Sequence, residues 1–548
     1  MKRRLLTLGL LLVATITLSS CHHVTQHNKF IVPTTFDENK SYTISFWAKN
    51  DSDQRQVDVY KEAISEFNKY YPNITIELRN FTSYPDIYRE VLLNLNTNTA
   101  PNVCISYPDN VATYLESENS VVALGDLMKD SNYGLDGALL KFDSIGSDGI
   151  VNSFLEEGLI NDEYYTIPYM RSTEALYINK TYVERLGFSI PDIPTWDWVW
   201  EVAEAAVEER ESGTNITTKT DPSKDFKPLI YKSSDNWFIQ YMRQANMKYT
   251  TKDGDLLLFN DETVDFLLDL KDKCRNKKYY EVFQNSSHYP GDVINVWDAI
   301  FGIDSTAGAS WIGFDSPQGT SSLGYEAFET ELRVIPQLDP NNPQMISQGP
   351  SICLFNKEDS GVVMASWLFA QFLLSDKVQM DYQKTEGYLP VTKRVLDSQE
   401  FKDYLNGDEV YSGCKKAKEL LLNNLDNTFI TPVFNGSANV RLAAGALIDG
   451  VSTSTKSFST KEAIKDKLFP SVIKNKDLTE LYNNTNFNQD EGDNKGSEDA
   501  PTSDMIVWKY ILIVGIVFVW SGLIAYFVVT KVKKIREEKE EQEVKNLK

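Results

Sequence analysis

The chain has 548 residues, 42% of them hydrophobic and 12% aromatic, and 55 Lys and Arg stand against 78 Asp and Glu for a net charge of -23. So acidic a chain is unsuited to sequence-independent nucleic-acid binding, which needs cations to replace those condensed on phosphate. Its apolar share excludes disorder of the whole chain, and at about 150 residues per domain its length allows several packed cores.

The N-terminus opens on Lys2, Arg3 and Arg4, followed by the apolar stretch Leu5 to Leu18. A basic start, a short apolar run and small residues make a secretion signal, too short to span and stay. Leu18-Ser19-Ser20-Cys21 resembles the bacterial lipobox, with Cys21 as the lipid acceptor, so residues 1–20 read as signal peptide and 21–40 as a flexible tether. Three of the four histidines (His22, His23, His27) fall in that tether, where they read as solvated; no metal site is expected.

Strand and helix patterns then alternate. Tyr42 to Trp47 reads as a strand, and Gln54 to Tyr71 as a helix whose apolar residues Val57, Tyr60, Ile64, Phe67 and Tyr71 fall three and four apart. Ile74 to Leu78 is a second strand, Tyr84 to Leu95 a second helix, and Pro101 to Ser106 a third strand. Such alternation predicts right-handed crossovers and a parallel sheet. Ligands of such sheets lie beyond the carboxyl ends of the strands. Trp47 and Asp51 after the first strand, and Tyr107 and Asp109 after the third, are therefore candidate ligand residues. Aromatic faces stack on pyranose rings while carboxylates and amides take the hydroxyls, so the mixture suits a neutral polyhydroxy ligand.

Catalytic signatures are sparse. His288 is the one histidine outside the tether, and the chain holds no HExxH, GxSxG, P-loop or GxGxxG motif. Besides Cys21 there are Cys104, Cys274, Cys353 and Cys414, without a CxxC pair; Cys104 and Cys353, in apolar strand contexts, read as buried free thiols. Carboxylate pairs for glycoside hydrolysis are not excluded by counting.

Further on come Glu163-Tyr164-Tyr165-Thr166-Ile167-Pro168, Ala175-Leu176-Tyr177-Ile178-Asn179-Lys180, Pro194-Thr195-Trp196-Asp197, Gly308-Ala309-Ser310-Trp311, Ala365-Ser366-Trp367-Leu368-Phe369 and Glu386-Gly387-Tyr388-Leu389-Pro390-Val391. In order and spacing these segments, over most of residues 42–470, resemble the extracellular solute-binding proteins of bacterial ABC importers, family 1, the sugar- and oligosaccharide-binding type. Ile178 departs from the aromatic usual before Asn-Lys.

The resemblance implies an α/β, two-lobed periplasmic-binding-protein-like fold with a hinge and an interlobe cleft. Lobe one would be 41–168 and 350–388, lobe two 169–348 and 393–472, with crossings near Pro168, Gly349-Pro350 and Tyr388-Pro390. The polar run Glu208 to Lys232 reads as a surface insertion. Tyr169, Arg171 and Thr173 follow the first crossing and should face the cleft; the resemblance adds Trp237, Trp311, Phe434 and Asn435 as ligand residues. Trp196, behind a Thr195 N-cap, and Trp367, on an apolar helix, read as core. The implied activity is capture of a solute, a sugar or oligosaccharide, without catalysis or cofactor, and delivery to permease subunits powered by a separate ATPase. A membrane-tethered sensor and a carbohydrate-active enzyme are the alternatives.

At the C-terminal end, 475–504 reads as an acidic linker. Tyr510 to Val529 carries no charge and, at about 20 residues, is long enough to cross a bilayer. A transmembrane helix over 508–530 is expected, and Lys531, Lys533, Lys534 and Arg536 then put the tail 531–548 in the cytoplasm and the body outside the cell, held at the membrane by lipid and helix.

Overall fold

The computed structural model describes residues 30–485 apart from 51–52, 96, 98, 214–225, 284–287, 320–323 and 409. The signal peptide, Cys21, Asp51, most of the linker and the tail lie outside the described residues.

The first lobe is built on a five-stranded sheet. Its strands are β1 (Tyr42–Lys49), β2 (Ile74–Phe81), β3 (Val103–Ser106), β4 (Ile167–Pro168) and β10 (Ser351–Leu354), in the order β2-β1-β3-β10-β4. β1 runs parallel to β2 and β3, as the alternation of strands and helices predicts, while β10 returns from far along the chain antiparallel to β3 and β4. Alternation along β1 sorts its side chains. Ile44, Phe46 and Ala48 enter a core shared with Trp367 and Phe369, and Trp47 enters a smaller core on the other face with Phe81, Ile87 and Val91. The helix Gln54–Tyr70 begins where Asp53 accepts from the Arg55 amide, and it buries Val57, Tyr60, Ala63 and Phe67 on one stripe.

The second lobe carries β5 (Glu174–Asn179), β6 (Leu229–Tyr231), β7 (Tyr280–Val282), β8 (Phe301–Ser305) and β9 (Thr330–Val334), in the order β7-β6-β8-β5-β9. β6 is parallel to β7 and β8, and β5 is antiparallel to β8 and β9. Every residue of β5 is buried, which fits a strand covered on both faces. Thr195 caps the helix Trp196–Ser212 by accepting from the Trp198 amide, and Gly213, at φ 73°, closes it. β6 corrects the insertion reading: Leu229, Ile230 and Tyr231 end the polar run but sit in the core. Three apolar residues between two strands are enough to hold a strand there.

The lobes are joined by segments that run side by side. Met170–Arg171 pairs antiparallel with Leu389–Pro390, and Ser172 bridges Gln348. At Gly349 a Cβ would fall 2.2 Å from the Met170 carbonyl oxygen, so a side chain there would push the crossings apart.

Packing moves three expected boundaries. Phe36 is buried against Tyr42, Tyr71 and Tyr133, so the body begins inside the stretch read as tether. Val395 and Phe401, on the helices Lys393–Asp397 and Gln399–Asn406, belong to the first core, and the return to the second lobe comes after them. Leu478 is buried in the second core, inside the stretch read as linker.

Among the described residues no helix is long and apolar enough to cross a membrane. The longest, of 17 residues, are shorter than the roughly 20 a bilayer requires, and they pack on the lobes. The fold class is accordingly corrected to what the described residues form, a two-lobed α/β body with no membrane-spanning helix among them; the segment 508–530, where one was expected, lies outside the described residues.

Candidate functional site

The two lobes meet at the carboxyl end of β3. Tyr107 and Pro108 open the short helix Pro108–Tyr114, placing Asp109 in its first turn. Opposite it, Gly436, at φ 93°, turns the chain into the helix Ser437–Thr453, whose Ser437 and Arg441 are four residues apart and share a face. Ser437 Oγ donates to Asp109 Oδ1 at 2.5 Å, and Arg441 Nε lies 3.6 Å from Asp109 Oδ2. Arg441 Nη2 also stands 3.4 Å from Asp235 Oδ2 and donates to Asn236 Oδ1. A carboxylate of each lobe thus shares one guanidinium.

Burial shapes the charges of this cluster. It raises the pKa of Asp109 against the pull of Arg441 and the Ser437 hydroxyl. For Arg441 burial opposes the charge, but Asp235 and Asp109 outweigh it and hold the guanidinium above its ordinary value. Tyr107 is pushed up to about 12 by burial, with Arg441 opposing.

Behind the cluster lies a carboxyl served by neutral donors. Glu174 accepts from Tyr231 Oη (2.7 Å), Asn236 Nδ2 (2.9 Å) and Gln240 Nε2 (2.6 Å). Burial raises it to about 8, the hydrogen bonds from Asn236 and Tyr231 opposing. Asn236 also donates to Gln348 Oε1 at 2.9 Å, so its amide points to the hinge and its carbonyl to Arg441.

A second interlobe cluster is aromatic and charged. Tyr84, just past β2, meets Tyr107 edge-on with ring centroids 4.7 Å apart, and Lys49 Nζ stands 5.1 Å from the Tyr84 centroid. Burial lowers Lys49 to about 8, with Glu386 opposing. Glu386 accepts from Ser310 Oγ at 2.7 Å and from Trp311 Nε1 at 3.3 Å, and Arg55 Nη2 lies 3.8 Å away. Trp311 is 40% exposed in the 3₁₀ turn Thr306–Trp311.

The sequence candidates divide by position. Tyr107, Asp109 and Trp311 lie in these clusters, Asn435 is exposed in the turn before Ser437, and Asp51 is outside the described residues. Trp47 is 6% exposed, packed on Phe81 with the Arg79 guanidinium 4.7 Å from its centroid, so it supports the floor of the lobe. Trp237 is stacked between Trp196 and Tyr231, at 5.4 and 4.8 Å. Phe434 packs over Gly254. Tyr169 is buried against Tyr60 and Tyr382. Thr173 donates to the Ile346 carbonyl within the second lobe.

Arg171 is fully buried at the crossings. It pairs with Glu157 at 2.8 Å and donates to the carbonyls of Gly349 and Phe154, each at 3.0 Å. Burial raises Glu157 and lowers Arg171, each shift opposed by the attraction between them. Arg441, Asp235, Ser437, Tyr84 and Glu386 were not singled out from sequence. The one local signal for them is the Asn435-Gly436 turn, which puts Ser437 and Arg441 on the face of a new helix.

This architecture has counterparts. Residues 62–406 match a family profile described as bacterial extracellular solute-binding protein. An arabinooligosaccharide-binding protein of Halalkalibacterium halodurans is 24% identical over 221 residues, 40% of this chain and 43% of its own length, so the match spans less than half of that relative. Among solved structures, UgpB from Mycobacterium tuberculosis in complex with glycerophosphocholine superposes with a TM-score of 0.60 at 17% identity, covering 79% of this chain and 98% of that one. The GacH receptor of Streptomyces glaucescens gives 0.56 at 16%, covering 79% and 99%. MalE from Bdellovibrio bacteriovorus bound to maltotriose gives 0.57 at 14%, covering 78% and 99%. At these identities the likeness is one of fold.

Proposed function

The chain belongs to the bacterial extracellular solute-binding proteins, and on that premise we propose that it captures a sugar or oligosaccharide between its lobes and delivers it to the permease of an ABC importer, whose ATPase is a separate chain. The observation that carries this reading is the mixed interlobe site. Tyr107 and Asp109 come from one lobe, and Asp235, Ser437, Arg441 and Trp311 from the other. Carboxylates and guanidinium are already paired within the protein, so a ligand need bring no charge; hydroxyls can exchange for these hydrogen bonds while Trp311, Tyr84 and Tyr107 offer ring faces. The arabinooligosaccharide-binding relative supports the same ligand class.

Capture needs no covalent step. A ligand that touches both lobes favours the closed state by its differential affinity, and opening at the crossings releases it. Binding in place of catalysis is also what the matching family does. Cys21 would carry the lipid that keeps the protein at the outer face of the membrane. Replacing it with Ala should abolish incorporation of labelled fatty acid, and retained label would show that it is not the acceptor.

A thermal-shift screen of arabino-, malto- and other oligosaccharides, with glycerophosphodiesters and peptides as contrasts, tests the ligand class. Ligand at a hundred times its Kd stabilises by about 2.7 kcal/mol. A rise in Tm with oligosaccharides is expected; a rise with peptides or phosphodiesters alone would overturn the sugar reading.

A further inference from the structure

We propose that Glu386 is a positioning residue: carried on the third crossing, its carboxylate fixes the Trp311 ring on which the sugar stacks, so that the ring is set by the hinge. This rests on the sugar-binding reading and adds to it a residue that touches no ligand.

The geometry begins with the backbone. Glu386 directly precedes Gly387, and a Cβ at Gly387 would fall 1.9 Å from the Thr306 carbonyl oxygen. The crossing therefore lies flush on the turn that carries Trp311, a closeness only glycine permits. Gly387 N donates to the Ala307 carbonyl at 3.4 Å, and Lys418 Nζ, fully buried, donates to the Glu386 carbonyl. With its main chain held on both sides, the Glu386 side chain is 2% exposed and has little room to reorient.

Its two oxygens are then divided between consecutive residues of the second lobe. Oε2 takes the Ser310 hydroxyl at 2.7 Å and Oε1 the Trp311 indole N–H at 3.3 Å. An indole has one N–H, so this bond consumes the polar means by which the ring can be oriented. A ring that is 40% exposed would otherwise sample several rotamers and lose them on binding; fixing it beforehand lowers that cost.

Charged and titratable groups face the carboxyl from every side. Arg55 approaches to 3.8 Å from the start of the helix Gln54–Tyr70, its charge shared with Asp53. Lys49 comes from the end of β1, Lys418 and Cys414 from the helix Ser412–Leu422, and Tyr388 and Tyr404 lie within electrostatic range. Burial raises Glu386 to about 7, opposed by Ser310 and Arg55. The carboxylate that holds both donors is therefore lost as pH falls through neutrality.

The test is calorimetric titration of the purified protein with arabinotriose and with maltotriose, for wild type, Trp311→Ala, Glu386→Ala and Glu386→Gln. Loss of the tether should weaken binding about tenfold in Glu386→Ala; Glu386→Gln, which keeps one acceptor oxygen, should lose about threefold and so rescue in part. Wild-type affinity should fall between pH 8 and pH 6, and that of Glu386→Gln should stay flat. The Trp311 emission, taken as the difference from Trp311→Ala, should shift to the red in both Glu386 variants. If Trp311→Ala loses affinity while both Glu386 variants bind as wild type with unshifted emission, the positioning role is overturned and the sugar reading survives. If Trp311→Ala binds as wild type, the proposal is overturned while the sugar reading stands; if wild type binds neither triose, the reading falls and the proposal with it. Should Glu386→Ala not fold, the isosteric Glu386→Gln decides by its pH profile and emission alone.

Discussion

Arg171 and Arg441 are both enclosed guanidiniums paired with carboxylates, yet they do opposite things. Arg171, 0% exposed, is surrounded by Glu157 and by the carbonyls of Gly349 and Phe154, all at or beside the crossings. Arg441, whose side chain is 19% exposed, holds Asp109 of one lobe and Asp235 of the other, groups that must separate when the cleft opens. The same pair chemistry makes a rivet in one place and a latch in the other. What differs is the origin of the partners and the access of water; on the function proposed above, a ligand would exchange for the Arg441 contacts.

The comparison breaks most sharply at the rivet. Arg171→Met leaves Glu157 buried without its cation and is expected to cost about 3–5 kcal/mol in urea unfolding; a loss below about 1 kcal/mol would show that the crossings do not depend on it. Trp47→Ala should cost about 3–4 kcal/mol by emptying a well-packed site, with oligosaccharide affinity unchanged. A fall in affinity without a fall in stability would instead return Trp47 to the site.

Arg441→Gln should be milder, about 1–3 kcal/mol, because water reaches the carboxylates it leaves. Its signature is conformational: small-angle scattering of the ligand-free protein should give a larger radius of gyration than wild type. An unchanged radius would mean that the pair does not hold the lobes together.

The pH-dependent effect concerns Glu174, which has hydrogen-bond donors where the two arginines' partners have a cation. Its folded-state pKa, raised to about 8 by burial against its hydrogen bonds, exceeds the ordinary 4.5, so the folded state holds the proton more tightly than the unfolded chain. That contribution is full below about pH 4.5 and is lost as pH rises through 8. Stability should therefore fall across this window, and Glu174→Gln should flatten the profile; an unchanged slope would place the proton elsewhere.

Much of the fold was legible because it is local. The apolar spacing of Val57, Tyr60 and Phe67, the Thr195 cap and the alternation in β1 are consequences of helix and strand periods that a sequence displays. β6 was not, since three apolar residues after a polar run carry no period. At the candidate site, the interlobe position of the loop after β3 was legible because strand ends point toward a partner lobe. Arg441 was not: its role comes from Asp109, 332 positions earlier, and nothing near Arg441 in sequence announces that meeting. Aromatic residues misled in the reverse direction, since stacking on a sugar and stacking in a core ask for the same rings, and only burial separates Trp237 from Trp311.

Capture without chemistry is the central claim, and the most direct test is to titrate arabino- and malto-oligosaccharides into the protein by calorimetry and then recover the sugars by chromatography. Saturable heat with one site per chain, and sugars recovered intact, is the predicted result. Cleaved sugars, or no heat with any member of either series, would contradict it.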